Sequence, residues 1–134
     1  MTIKFSALLV TLISLFISVL QAGEKAADGA IHVKAAEAAK LVTEKKVVVL
    51  DVRTADEFKD GHIEGAQNID FLKVADFKEQ VAKLDKSKPY LVHCQAGGRS
   101  GKSLKIFQEL GFENVYHLDE GFGGWEDAKL PVTK

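Results

Sequence analysis

His93-Cys94-Gln95-Ala96-Gly97-Gly98-Arg99-Ser100 is the stretch that decides the fold of this chain, and it holds the only cysteine. An apolar run at 90–92 leads into it, and a helical pattern at 100–110 leads out of it. A strand, a tight glycine-containing loop and a helix make an anion site, because the loop amides and the helix N-terminus converge on one point. A cysteine at the mouth of such a site has a stabilised thiolate, which is its nucleophilic form. The stretch therefore predicts a cysteine nucleophile in an anion-binding loop.

The composition is that of an ordinary globular protein. The chain has 134 residues, of which 46% are hydrophobic and 28% are charged, and its formal net charge is −1. This length suits one domain rather than two. A charge so close to zero does not favour nucleic acid or an anionic membrane as a partner.

The first segment has the layout of a secretory signal peptide. Lys4 precedes an apolar stretch at 5–20, and the small residues Ala22 and Gly23 follow it. The alternative is an uncleaved membrane anchor, but a bilayer span needs roughly 20 apolar residues. We therefore expect a signal peptide at 1–22 cleaved near Ala22, a short linker at 23–30, and a domain at 31–134. The mature protein would be exported, in a bacterium to the periplasm, and not embedded in a membrane. A single cysteine in an exported protein indicates a reactive thiol or intermolecular pairing.

The remaining chain alternates strand patterns with helix patterns. Short apolar runs predict strands at 31–33, 47–50, 66–69, 90–93 and 115–118. Helical composition or periodicity predicts helices at 35–43, 54–61, 71–84 and 100–110, and a glycine-rich turn at 121–125 precedes a last helical turn. This alternation predicts an α/β domain with a parallel sheet covered by helices on both faces. Ligands bind at the carboxyl ends of strands in that class, and Cys94 follows such an end.

Two of the predicted helices carry local signals. Thr54 and Glu57 form a capping box at the start of 54–61, and Gly61 is placed to end that helix. In 71–84, four apolar residues fall three or four positions apart and predict one buried face: Val74, Phe77, Val81 and Leu84.

Several motifs resemble the rhodanese (thiosulfate sulfurtransferase) family. The segments at 51–53, 57–58, 61–66 and 68–69 resemble its first signature, and the Cys94 to Ser100 loop resembles its active-site pattern of Cys, two residues, Gly, one residue, Arg, Ser. The segments at 110–116, 121–125 and 130–132 resemble its closing signature. Glu64 stands where the family usually has proline, and Ser103 where alanine is common. The resemblance implies a single domain with a sheet of about five parallel strands.

The resemblance also implies a mechanism. The Cys94 thiolate would take the outer sulfur of thiosulfate or a similar small donor as a persulfide, and cyanide, a thiol or a protein would accept it. Such covalent two-step catalysis requires no cofactor. We expect the substrate to be bound by the loop amides, with Gly97 and Gly98 permitting positive φ and Arg99 offering a planar cationic fork. The residues expected to bind substrate are Gln95, Ala96, Gly97, Gly98, Arg99 and Ser100.

Three alternatives stay open. A cysteine phosphatase, or a related arsenate reductase, also carries a cysteine and an arginine around such a loop, but with five intervening residues rather than the four between Cys94 and Arg99. The shorter loop favours a terminal sulfur over a tetrahedral phosphate. A persulfide carrier or a non-catalytic binding module is the third alternative, although the cysteine and the arginine are both retained.

Other polar residues favour structural roles. Asp51 and Arg53 end a neighbouring strand and are expected to form a buried charge pair that pins the loops. His62 and His93 are also expected to be structural, because thiolate attack on a sulfane sulfur removes no proton. The sequence shows no metal-ligand spacing and no nucleotide-binding loop.

Overall fold

The computed structural model describes residues 23–134, so the predicted signal peptide at 1–22 lies outside the described residues. Its strands are β1 (Ala30–Val33), β2 (Val48–Asp51), β3 (Gln67–Asn68), β4 (Tyr90–His93) and β5 (Val115–Leu118). Its helices are α1 (Ala35–Thr43), α2 (Ala55–Asp60), α3 (Val74–Ala82), α4 (Gly98–Glu109) and α5 (Gly121–Asp127). Within residues 23–134, no helix is long and apolar enough to cross a membrane.

The five strands form one sheet in the order β1-β5-β4-β2-β3, and every neighbouring pair is parallel. In the register, Asp51 lies opposite His93 and Val92 lies opposite His117. The carboxyl ends of β2, β4 and β5 therefore meet at one edge of the sheet. Cys94 follows β4, so it emerges at the centre of that edge, and its predicted position at the carboxyl end of a strand is confirmed.

Helices cover both faces of the sheet, which confirms the predicted fold class. The side chains of Leu50 and Val92 point to the face covered by α3 and α4, whose buried residues include Phe77 and Phe107. Val49 and Leu91 point to the opposite face, which packs against α1 and α5. Strands buried on both faces are expected in a parallel sheet, and this explains their continuous apolar runs.

The third helix is shorter than its sequence pattern predicted. Val74 is 44% exposed because it is only the first residue of α3, whereas Phe77 and Val81 are fully buried. The chain before Val74 forms a turn in which the Leu72 amide donates to Asp70 Oδ1 at 2.9 Å. The prediction that Val74 shares the buried face is therefore wrong.

The last helix begins within the glycine-rich segment rather than after it. Its first residue, Gly121, has a φ of +63°. The amides of Phe122 and Gly123 donate to the carbonyl oxygens of Cys94 at 2.8 Å and Gln95 at 2.9 Å. The first turn of α5 thus satisfies its free amides on the cysteine loop and fixes the position of that loop.

Candidate active site

Cys94 lies at the bottom of the loop that joins β4 to α4, and the residue is only 1% exposed. The Gly97 amide donates to its Sγ at 3.1 Å, and the Ser100 hydroxyl oxygen lies 3.3 Å from the same sulfur. The amides of Ala96 and Ser100 are also directed at it. Burial raises the pKa of the Cys94 thiol, but these hydrogen bonds outweigh burial and bring the pKa below its usual value. The loop therefore favours a thiolate.

The two glycines of the loop have different roles. Gly97 has a φ of +99°, and a Cβ there would collide with the carbonyl oxygen of Asp119. Gly98 is the first residue of α4, has no positive φ, and has open space around it. The prediction that both glycines supply positive φ is therefore wrong for Gly98.

Gln95 links the loop to the neighbouring strand. Its side-chain Oε1 accepts a hydrogen bond from Arg53 Nη1 at 3.2 Å. A Cβ on Gly121 would lie 2.6 Å from the Gln95 carbonyl oxygen, so the approach of α5 to the loop requires glycine at that position. Gln95 therefore anchors the loop through both its backbone and its side chain.

Arg99 is held by a bidentate ion pair with Glu57. Its Nη1 and Nη2 donate to the two carboxylate oxygens of Glu57 at 2.6 and 2.9 Å. The same carboxylate completes the predicted capping box with Thr54. The Arg99 guanidinium lowers the pKa of Glu57 to about 2, and Glu57, with a smaller effect from Cys94, raises the pKa of Arg99. The fork is thus held in place by Glu57, and its predicted contact with a substrate anion stays a prediction.

Asp51 and Arg53 form the buried pair that the sequence predicted. Arg53 donates to both oxygens of Asp51, at 2.7 to 3.1 Å, and to the Gly61 carbonyl oxygen at 2.8 Å. Its guanidinium also lies 4.2 Å from the centre of the Phe122 ring. This pair connects β2, α2 and α5 beneath the cysteine loop.

The two histidines named from the sequence make backbone contacts. His93 is fully buried, and its Nδ1 lies 2.9 Å from the Cys94 carbonyl oxygen. His62 stacks on Phe58 at 3.7 Å, and its Nδ1 lies 2.8 Å from the Phe58 carbonyl oxygen. The predicted structural roles of both histidines stay predictions.

A third polar group was missed by the sequence reasoning. His117 Nε2 lies 2.7 Å from Ser100 Oγ, and its Nδ1 lies 2.7 Å from Asp119 Oδ1. His32 Nδ1 lies 2.5 Å from the same Asp119 oxygen, and its Nε2 lies 2.8 Å from Asp28 Oδ2. No linear motif contains these residues. The only available signal was that His32 and His117 both lie on predicted strands, which the fold places side by side.

His32, His117 and Asp119 each bring a ligand atom within 4.8 Å of the others. The Nδ1 atom of each ring lies 2.5 or 2.7 Å from Asp119 Oδ1. Two ligands of one tetrahedral zinc ion stand about 3.3 Å apart, given bonds near 2.0 Å. The observed spacing is that of hydrogen bonds, so the group as it stands is a hydrogen-bonded cluster.

A cysteine in an amide-lined loop between a parallel strand and a helix defines the class: an α/β domain built to stabilise a thiolate. Within that class, residues 34–128 match the Rhodanese-like domain family, and the chain belongs to it. It is 32% identical over 97 residues to the thiosulfate sulfurtransferase GlpE of Shewanella oneidensis, covering 72% of this chain and 93% of that protein. It is 38% identical over 94 residues to the GlpE protein of Pseudomonas aeruginosa, covering 70% and 83% respectively.

Solved structures agree on the fold. A rhodanese-related protein from Thermoplasma volcanium has a TM-score of 0.68 and 28% identity, with 76% of this chain and 96% of that chain covered. A protein from Rhodopseudomonas palustris, described as a possible tyrosine phosphatase, has a TM-score of 0.63 and 27% identity, with 75% and 82% covered. The fold alone therefore does not separate sulfur chemistry from phosphate chemistry. The feature of this chain that bears on the choice is the cysteine loop.

Proposed function

We propose that this protein is a sulfurtransferase that moves a sulfane sulfur from thiosulfate, or a similar small donor, to a nucleophilic acceptor through a Cys94 persulfide. The observation that carries the proposal is the contact of Cys94 Sγ with the Gly97 amide and the Ser100 hydroxyl, in a loop that lowers the thiol pKa. The curated relatives described above are named thiosulfate sulfurtransferases, which supports the same reaction.

The proposed first step is attack by the Cys94 thiolate on the outer sulfur of thiosulfate. A new S–S bond forms to Cys94, the S–S bond of thiosulfate breaks, and sulfite leaves with the bonding electron pair. In the second step the acceptor attacks the terminal sulfur, and the Cys94 thiolate is regenerated. Charge is conserved at each step, and neither step needs an external oxidant or a cofactor.

The loop amides would serve both halves of this reaction. Thiolate and persulfide are both anions, and fixed N–H dipoles stabilise either one without reorganisation. Arg99, oriented by Glu57, would attract the oxyanion end of the donor. Ala96, Gly97 and Ser100 supply the donors that face the sulfur.

Access to the nucleophile supports sulfur over phosphate. Only 1% of Cys94 is exposed, so little of its surface is open to a reacting atom. The outer sulfur of thiosulfate is a single atom at the end of the donor. A phosphate monoester would have to present a tetrahedral centre that carries four oxygens. The four-residue interval to Arg99 leaves less room for that group than the five-residue interval of cysteine phosphatases.

We further propose that the reaction takes place after export, because the segment at 1–22 has the pattern of a signal peptide. The acceptor there would be a small thiol or a cysteine of another protein. Cell fractionation with an antibody against residues 31–134 tests the location: the expected result is a periplasmic protein whose N-terminus follows Ala22.

The function is tested by incubating the protein with thiosulfate and measuring its intact mass. Wild type is expected to gain one sulfur atom and to lose it on addition of cyanide, whereas Cys94→Ser gains none. Ser103→Ala is the matched control, because Ser103 lies on the same helix but donates to the Ser100 carbonyl oxygen rather than to Cys94. Hydrolysis of an aryl phosphate without any sulfur gain would contradict the proposal.

The role of Arg99 has its own test. If its guanidinium binds the donor anion, Arg99→Ala should raise KM for thiosulfate by roughly tenfold or more, which is the loss expected for a charge-assisted hydrogen bond. The rate of Cys94 alkylation by iodoacetamide, which is uncharged, should change much less than this KM in the same variant. An unchanged KM would limit Arg99 to holding the loop through Glu57.

A further inference from the structure

A continuous line of hydrogen-bonding atoms runs from the sulfur of Cys94 to the protein surface. The Ser100 hydroxyl oxygen lies 3.3 Å from Cys94 Sγ and 2.7 Å from His117 Nε2. The opposite ring nitrogen of His117 lies 2.7 Å from Asp119 Oδ1. Ser100 is fully buried and His117 is 4% exposed, whereas the Asp119 side chain is 46% exposed. The sulfur-transfer steps of the proposed function do not use this line.

The protons of this line can be arranged in two ways. An ionised Asp119 can only accept, so Nδ1 of His117 carries a proton, and the neutral ring then has its lone pair on Nε2. Ser100 has one hydroxyl proton but two neighbours that can accept it, Cys94 Sγ and His117 Nε2. When His117 is neutral, that proton goes to Nε2. The Cys94 sulfur then faces a lone pair of Ser100 Oγ, an arrangement that suits a thiol donating S–H.

Charging His117 reverses the arrangement. The imidazolium donates from Nε2 to Ser100 Oγ, and the serine proton is free to be donated to the Cys94 thiolate. A thiolate beside a neutral His117 would still accept from the loop amides, but the single Ser100 proton could then serve only one of the sulfur and Nε2. The two states in which Ser100 both donates and accepts along the line are thiol with neutral imidazole, and thiolate with imidazolium.

We propose that His117 is the proton acceptor that ionises Cys94, acting through Ser100, and that Asp119 holds its ring in the required tautomer. This inference rests on Cys94 being the nucleophile of the proposed function. The thiol proton passes to Ser100 Oγ while the serine proton passes to His117 Nε2. The products are a thiolate, an intact serine hydroxyl that donates to it, and an imidazolium between Ser100 and Asp119. No external acid or base is required, and His117 is a positioning residue because it does not touch the sulfur.

The charged groups around His117 are compatible with this role. His32, from β1, shares Asp119 Oδ1 with His117 and also bonds Asp28, and these two carboxylates raise its pKa although burial opposes them. His93, from β4, is buried, and burial lowers its pKa, which disfavours a charge on that ring. Burial lowers the pKa of His117 itself, against the effect of Asp119. Burial thus favours the neutral form of the His117 ring, which can accept a proton.

The relay would serve the first half of the reaction. Thiosulfate reacts with the thiolate, so the rate below neutral pH depends on how readily the thiol ionises. Transfer of the proton to an internal base would keep the nucleophile available in that range. Above the pKa of an unassisted thiol, the relay should make no difference.

The test is the pH dependence of Cys94 alkylation by iodoacetamide, followed by intact mass on the full protein. Because Cys94 is the only cysteine, each added mass reports that site alone. His117→Gln is expected to raise the apparent thiol pKa by about one unit, which slows alkylation about tenfold near pH 6.5. The wild-type and variant rates should converge above about pH 9.5. A uniform reduction at every pH, or no change, would overturn the proposal.

A double-mutant cycle separates the relay from a general electrostatic effect. In a Ser100→Ala background the connection is cut, so adding His117→Gln should cause no further shift in the pH profile. If His117→Gln shifted the profile equally in both backgrounds, the proposal would be wrong. Ser103→Ala is the matched control for loss of a buried hydroxyl on α4, and it should retain the wild-type profile. These readouts do not depend on sulfur transfer, so failure of the relay and failure of the proposed function give different results.

Discussion

Replacing Gly97 with alanine should damage the cysteine loop more than any other single-methyl change in it. Gly97 has a φ of +99°, a conformation that costs a residue with a side chain about 1 kcal/mol or more. The added Cβ would also collide with the backbone carbonyl oxygen of Asp119, which cannot rotate away as a side-chain end would. A backbone shift to relieve such overlap costs about 1–3 kcal/mol. The expected loss is about 3 kcal/mol of unfolding free energy.

The measurement is thermal unfolding of Gly97→Ala beside Gly98→Ala. For a domain of this size, about 3 kcal/mol corresponds to a fall in Tm of roughly 10 °C. A Cβ at Gly98, the first residue of α4, would have no neighbouring atom within 4 Å, so alanine there should be neutral or stabilise the fold by up to about 1 kcal/mol. Alkylation of Cys94 should also slow in Gly97→Ala, because the Gly97 amide donates to Sγ. Equal unfolding temperatures for the two variants would refute this reasoning.

Two further predictions concern stability. The pKa of Glu57 is lowered to about 2 by Arg99, so the pair stabilises the fold above pH 4.5, and this contribution is lost as pH falls from 4.5 towards 2. Because the Glu57–Arg99 pair is partly exposed, it contributes about 1 kcal/mol to the free energy of unfolding. Glu57→Gln should therefore reduce the difference between the urea midpoints measured at pH 7 and at pH 3. Phe77→Ala should cost about 3–5 kcal/mol because Phe77 is fully buried, whereas Val74→Ala at 44% exposure should change the urea midpoint little.

Most of the fold could be predicted from the sequence because its signals are local. Continuous β-branched runs identify buried parallel strands, and the capping box of Thr54 and Glu57 marks the start of α2. Helix boundaries were less predictable. Val74 fits the apolar spacing of α3, yet the helix begins at this residue. The helical turn predicted before Val74 is therefore absent, and Val74 itself is exposed. Gly121 is the first residue of α5 instead of preceding the helix. The reason is that the amides of Phe122 and Gly123 donate to carbonyl oxygens of the cysteine loop, which is distant in sequence.

The candidate site also contains parts that a local sequence pattern predicts and parts that only the tertiary structure reveals. Cys94 and its loop are contiguous in the sequence, so a local pattern was enough to propose them as the candidate site. Arg99 was assigned to a substrate anion, but its existing partner is Glu57, 42 positions earlier. That pairing depends on how α2 sits above the loop, which no periodicity encodes.

The Ser100–His117–Asp119 line shows why part of a site can be invisible in sequence while the strand order implies it. Parallel pairing of β4 with β5 places Val92 opposite His117, so the carboxyl end of β5 lies beside the cysteine loop. The loop then folds back until Ser100, six residues after Cys94, approaches the sulfur from the side of β5. A histidine on that strand can therefore reach the serine without any motif linking the two. If the relay operates, the acidity of the nucleophile is set by a residue on the neighbouring strand. A different residue at position 117 could then shift the pH range in which the protein reacts, without any change in the cysteine loop.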